Sequence, residues 1–134
     1  MVQTEFIENY YKTLSLLFNS IKVTDKEGNE IGFFCGIENV CSLIKLQADS
    51  GGKLMFIGNG ASASIASHMS TDCWKNGGIK AVAFNDSSLL TCISNDFGYK
   101  YVFEKPIEMF ADNDDILFAI SSSGRSENIF KGVH

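Results

Sequence analysis

Lys53-Leu54-Met55-Phe56-Ile57-Gly58-Asn59-Gly60-Ala61-Ser62 is the stretch from which the fold can be read. A short apolar run leads into a glycine-rich turn with a hydroxyl beyond it, as in a strand buried on both faces that hands over to a helix. Two later segments repeat the form: Ile79-Lys80-Ala81-Val82-Ala83-Phe84 and Asp115-Ile116-Leu117-Phe118-Ala119-Ile120, each ending at small polar residues. Segments of helical length separate them, Ser62 to Lys75 and Ser87 to Phe110. The second is long enough for two helices, with Pro106 tolerated in the first turn of the latter. Strands alternating with helices predict an α/β fold, a doubly wound, flavodoxin-like parallel sheet with helices on both faces.

Upstream, Phe6, Tyr10, Leu14, Leu17 and Ile21 fall three and four apart, with Ile7, Tyr11 and Phe18 widening the stripe. That spacing predicts an amphipathic helix over the first twenty or so residues, with an apolar face broad enough for more than one partner. Thr24 to Glu30 is polar and reads as a loop, and a second helix is expected from about Ile37 to Ala48, stopping at Gly51-Gly52. Two helices are thus expected before any strand, residues 1–50 forming a helical extension of an α/β core at 53–134.

At 134 residues, 45% of them hydrophobic, the chain suffices for one core and is short for two ordinary domains. Eleven Lys and Arg against sixteen Asp and Glu give a net charge of -5, and Arg125 is the only arginine. A nucleic-acid partner or an anionic membrane surface finds no basic patch here. No apolar stretch reaches membrane length and the first residues lack a signal-peptide pattern, so the expected compartment is the cytoplasm. In that reducing setting Cys35, Cys41, Cys73 and Cys92 are expected to remain thiols and to act as small apolar packing groups. Trp74, Phe84, Phe97, Tyr99, Tyr101 and Phe103 are likewise expected in the core or between subunits.

An open parallel sheet binds ligands at the carboxyl ends of its strands. Gly58-Asn59-Gly60-Ala61-Ser62-Ala63-Ser64 and Ser121-Ser122-Ser123-Gly124-Arg125-Ser126 both stand there, each combining glycine with hydroxyls at a helix start. Either loop alone serves as an ordinary turn and cap. Two on one sheet edge suit a phosphate monoester. With no G-x-x-x-x-G-K-[ST] and no full G-x-G-x-x-G, no nucleotide cofactor is expected and a sugar phosphate fits better. Arg125 is placed equally well on the phosphate or on the outer face of its helix.

His68 and Asp72 are four apart on the helix after the first loop and leave the same face. The spacing is compatible with a surface pair, with acid/base partners, and with two ligands of a divalent metal such as zinc. Asn95-Asp96-Phe97-Gly98 reads as a helix C-cap and turn.

Taken in order, Gly58-Asn59-Gly60-Ala61-Ser62, His68 with Asp72, Ser94-Asn95-Asp96-Phe97-Gly98 and Ala119-Ile120-Ser121-Ser122-Ser123-Gly124-Arg125-Ser126-Glu127-Asn128-Ile129 closely resemble the SIS (sugar isomerase) domain of bacterial phosphoheptose isomerases. The resemblance runs from the second helix to the end of the chain. It implies isomerisation of sedoheptulose 7-phosphate to D-glycero-D-manno-heptose 7-phosphate for lipopolysaccharide or capsule, by proton transfer between C1 and C2, in a cytoplasmic homotetramer (or homodimer). It further implies that Ser62, Ser121, Ser123 and Ser126 bind phosphate, with Asn59, Gly60, Ala61 and Ser122 completing the loop contacts and Asn95 and Asp96 holding the sugar end. His68 and Asp72 match a histidine and a glutamate that bind zinc in zinc-containing members, the glutamate also acting as base.

Three departures from the family pattern stand out. Asp72 is one methylene shorter than the family's glutamate, and Ala61 replaces the commoner glycine. Further strands and a C-terminal helix with a glutamine and a catalytic histidine have no counterpart in the eight residues after Ser126, and His134 is assigned no role. The runner-up is a non-catalytic SIS module that senses a sugar phosphate or binds a protein, like the relative that associates with the initiator DnaA. A third reading is an isomerase for a different phosphosugar.

Overall fold

The computed structural model describes residues 2–134. Its elements in chain order are α1 (Val2–Asn19), β1 (Val23–Thr24), β2 (Glu30–Ile31), α2 (Phe33–Asp49), β3 (Leu54–Gly58), α3 (Ala61–Gly77), β4 (Ala81–Ala83) and α4 (Ser87–Asp96). A single 3-10 turn (Tyr99–Tyr101), α5 (Glu104–Phe110), β5 (Ile116–Ile120) and α6 (Glu127–Val133) complete the chain. It divides into two compact units, Met1–Ser42 and Leu43–His134.

In the first unit α1 carries the expected stripe, and Phe6, Tyr10, Tyr11, Leu17 and Phe18 are all exposed. The loop expected at 24–30 is instead the turn of a small antiparallel hairpin, with Val23 opposite Ile31 and Thr24 opposite Glu30. Asp25 makes it: its carboxylate accepts the N–H groups of Glu27 and Asn29, and Gly28 takes φ +86°. A strand pair therefore precedes the sheet, contrary to expectation. The second helix also begins earlier than expected, at Phe33, running through Gly36, where a Cβ would meet Val23 Cγ1 at 2.6 Å. Gly36 permits the hairpin to lie on the helix, so a glycine inside a helix is here a packing requirement.

The second unit holds a three-stranded parallel sheet in the order β4-β3-β5. Every residue of the central β3 is buried, and alternate side chains enter opposite layers. Leu54 and Phe56 face Ala66 of α3, with Ile44, Ile116 and Phe118 around them; Phe56 and Phe118 stack at 4.9 Å. Met55 and Ile57 face Phe84, Val102, Phe103 and Ile129, with Leu89, Ile93 and Ile107 closing that side. Helices thus cover both faces, as the continuous apolar strands require. The segment expected as a strand over 79–84 is extended only at Ala81–Ala83, the residues that pair with Leu54–Phe56 of β3.

Lys53 and Asp115 staple the amino-terminal edge of the sheet. The Asp115 side chain, 2% exposed, accepts the Lys53 backbone N–H at 2.8 Å and the Lys53 ammonium. One expectation about burial fails. Cys35, Cys41 and Cys92 are exposed and only Cys73 is half-buried, since the first three lie on helix faces turned away from the cores. Among the aromatics Phe84 and Phe103 are buried, whereas Trp74, Phe97 and Tyr99 are exposed.

Candidate functional site

β4 follows β3 on one side and β5 lies on the other, so the chain reverses direction across the sheet between β3 and β5. Loops leaving neighbouring strands at such a switch point diverge and leave a crevice. The register pairs Gly58 with Ile120, so Asn59–Ser62 and Ser121–Ser126 emerge side by side. The two serine-glycine loops singled out in the sequence are therefore brought together.

Each loop is shaped by close packing. A Cβ on Gly58 would meet the carbonyl of Ser62 at 2.7 Å, so only glycine lets α3 start this near the strand. Gly60 turns the chain with φ +55°, and Ala61 follows in ordinary helical conformation. Ser62 N–H bonds Asn59 O at 3.0 Å. In the second loop Ser121 Oγ accepts from Gly124 N–H at 3.1 Å and Ser123 Oγ from Arg125 N–H at 3.2 Å. Both hydroxyls accept in the turn, which leaves each O–H proton to donate elsewhere.

Helix starts distinguish these loops from the third. α4 is capped by Asp86, whose carboxylate takes the N–H groups of Ser88 and Leu89 at 2.9 and 3.0 Å. A carboxylate already fills that end. α3 has no side-chain cap at Gly60, and Ser126, at the N-cap of α6, makes no capping hydrogen bond. At the β3 and β5 ends, by contrast, no side chain caps the helix start, while Ser121 and Ser123 stabilise their own turn.

Asn128 was quoted in the family motif but singled out for no role, and it is central. It is 3% exposed and exchanges paired carboxamide hydrogen bonds of 2.9 Å with Asn59. Its Oδ1 also accepts Ile129 N–H, while the Tyr99 hydroxyl reaches Asn59 Oδ1. Asn59 thus locks one loop to the other. Asn85 was also missed: its amide donates to Ala63 O and Ser67 Oγ, both at 3.0 Å, fixing the first turns of α3. Asn128 at the start of α6 and Asn85 in a loop act on partners far away in sequence, which gave no periodic signal for either role.

Asn95 and Asp96 close α4, and Asn95 Nδ2 donates to Asp96 Oδ1 at 2.9 Å. Asn95 lines a shallow hollow of about 330 Å³ with Leu90, Thr91, Ser94 and Tyr99. His68 Nε2 lies 3.3 Å from Asp72 Oδ2, and Asn76 Nδ2 donates to Asp72 Oδ1 at 3.1 Å. The pair is on the outer face of α3, 77% and 40% exposed, about 9 and 15 Å along the axis from Ser62. Burial pushes the neighbouring Cys73 thiol up, helped by the Asp72 charge, which keeps it protonated. Among the described residues no cluster of three His, Cys, Asp or Glu side chains is placed to hold a metal. Zinc takes three or four protein ligands, so His68 and Asp72 do not fill a zinc site by themselves. His134 stacks on Phe130 at 4.1 Å, away from these loops in sequence and element. Among the described residues no helix is long and apolar enough to cross a membrane.

No family model matches the chain. A curated phosphoheptose isomerase from Cytophaga hutchinsonii is 30% identical over 138 residues, covering 99% of this chain and 69% of that protein. The phosphoheptose isomerase of Vibrio cholerae is 39% identical over 105 residues, 72% of this chain and 55% of the relative. Among solved structures, phosphoheptose isomerase GmhA from Neisseria gonorrhoeae superposes with TM-score 0.80 at 26% identity, covering 99% of this chain and 67% of that one. A phosphoheptose isomerase from Francisella tularensis shares the fold at TM-score 0.82 and 24% identity, with 69% of its length covered. The chain therefore spans between about half and two thirds of the length of these relatives. With the loop order, the switch-point crevice and these likenesses together, the chain belongs to the phosphoheptose isomerase family of SIS domains.

Proposed function

We propose that this chain binds sedoheptulose 7-phosphate and takes part in its isomerisation to D-glycero-D-manno-heptose 7-phosphate, a step toward activated heptose. The observation that carries the reading is the pairing of two uncapped serine-glycine loops at the β3–β5 switch point. Ser62, Ser121, Ser123 and Ser126 offer O–H donors to the phosphate oxygens, and hydrogen bonds to a charged group are the stronger kind. Gripping the phosphate at one end orients the reacting carbons at the other.

Ketose-aldose exchange needs a base that takes the carbon-bound proton from C1 and returns it at C2, and an acid that serves the two oxygens. Asp72 is the base in this reading, its carboxylate steadied by Asn76 and His68, and His68 is the partner that exchanges a proton with oxygen. Zinc as a cofactor requires donors beyond this pair. A cytoplasmic homotetramer (or homodimer) belongs to the same reading, supported by the exposed apolar stripe of α1, which a second copy would cover. Turnover in D2O tests the proposal: aldose formation with deuterium at C2, followed by NMR, is expected. Absence of turnover with and without zinc would remove the catalytic claim.

A second reading, a phosphosugar-binding module without catalysis, is favoured by one observation: the exposure of His68 and Asp72 on the outer face of α3. It predicts binding with no deuterium exchange.

A further inference from the structure

Tyr99 belongs to no site motif and sits exposed in the connection between α4 and α5, yet its hydroxyl donates to Asn59 Oδ1 at 3.1 Å. That oxygen also accepts from Asn128 Nδ2 at 2.9 Å, so both of its lone pairs are filled. Asn128 Oδ1 in turn accepts Asn59 Nδ2 at 2.9 Å and the Ile129 backbone N–H at 3.0 Å.

The orientation of the network is set at one end by a backbone donor and held at the other by the Tyr99 O–H. A backbone N–H can only donate, so Ile129 decides which end of the Asn128 carboxamide is oxygen, and Asn128 decides the same for Asn59. The Tyr99 O–H meets that orientation from the opposite side. With its oxygen saturated and one N–H on Asn128, the Asn59 amide keeps a single N–H of defined direction. Tyr99 also walls the hollow of about 330 Å³ beside Ser94 and Asn95, so one side chain joins that hollow to the first serine-glycine loop.

We infer that Tyr99 is a positioning residue of the phosphosugar site. Its hydroxyl holds the Asn59 carboxamide with the remaining N–H as a donor to bound sugar phosphate, and its ring bounds the hollow that takes the carbon chain. The inference rests on the function proposed above. Loss of the ring is predicted to affect sugar phosphates more than inorganic phosphate, which has no carbon chain to place.

Tyr99→Phe removes the hydroxyl and keeps the ring, at an exposed position. Calorimetric titration of wild type and variant with sedoheptulose 7-phosphate and with inorganic phosphate is paired with NMR of the side-chain amides in the unliganded protein. The variant is expected to bind both the sugar phosphate and inorganic phosphate about threefold to tenfold more weakly, the effect of one neutral hydrogen bond acting through Asn59 in the phosphate loop. The Asn59 carboxamide signals are expected to move. Tyr99→Leu, which lacks the ring as well, is expected to weaken sugar-phosphate binding further. Wild-type affinity, or unmoved Asn59 signals, in Tyr99→Phe overturns the inference and leaves the function standing. A wild-type protein that binds neither ligand removes the functional reading, and the role of Tyr99 with it.

Discussion

Asn59 and Asn128, sixty-nine positions apart, exchange two carboxamide hydrogen bonds of 2.9 Å that close the β3 loop onto the start of α6. Each amide satisfies the other in a half-buried or buried setting, where an unmatched polar group is costly. The crevice between the loops is consequently held in shape by the protein's own side chains.

Removing one partner exposes that dependence. Asn128→Ala leaves Asn59 and the Ile129 N–H without their buried partner and is expected to destabilise the fold by about 2 kcal/mol. Urea unfolding measures it, and a change under about 0.5 kcal/mol, the ordinary range of surface substitutions, would show that the pair is not holding the loops.

Two glycines in the same site are needed for different reasons. Gly58→Ala drives a methyl into the Ser62 carbonyl and should shift the start of α3, costing about 1–3 kcal/mol with a loss of phosphate binding. Gly124 has open space around its Cα but φ +62°, so Gly124→Ala should cost only about 1–2 kcal/mol, through backbone strain. Thermal unfolding of both variants beside phosphate titrations separates steric from conformational need. Equal loss of binding in the two would contradict it.

The phosphate reading makes the second-loop serines matter more for ligand than for fold. Ser121→Ala with Ser123→Ala is expected to weaken sugar-phosphate binding by roughly 1–3 kcal/mol. Unchanged affinity in calorimetry would return both hydroxyls to turn stabilisation of Gly124 and Arg125.

Acid should unfold the second unit through one buried group. Burial alone would raise the Asp115 carboxyl, but hydrogen bonds from the Lys53 side chain and from the Asp112 and Lys53 backbone outweigh it and hold the carboxyl below its ordinary value. A depressed folded-state pKa stabilises above the unfolded value, about 3.9, and that stability is lost as pH falls through the lower folded value. Urea midpoints from pH 5 to pH 2 should decline over that range. Asp115→Asn should start lower and flatten the decline; an unaltered slope would assign the acid sensitivity elsewhere.

The parallel sheet was legible because β3, buried along its whole length, and its partner β5 are written as unbroken apolar runs. The serine-glycine loops were legible for a similar reason, since turns that admit only small residues leave a compositional trace. The hairpin at Val23–Ile31 was not, because strands of two residues carry no alternation and its stability comes from Asp25 side-chain bonds. The start of the second helix at Phe33 was not legible either, because Gly36 lies inside it and Val23 packs where its side chain would be. Cysteine composition pointed inward while three of the four thiols lie outside, since burial preference is a tendency and helix face decides each case. Asn128, Asn85 and Tyr99 act through contacts tens of positions away, which no local pattern encodes.

The central claim, that the β3 and β5 loops form one phosphosugar site, is met most directly by an amide NMR titration with sedoheptulose 7-phosphate. Signals of residues 59–64 and 121–127 are expected to shift together and saturate at a single dissociation constant. Shifts confined to one loop, or none in either, would contradict it.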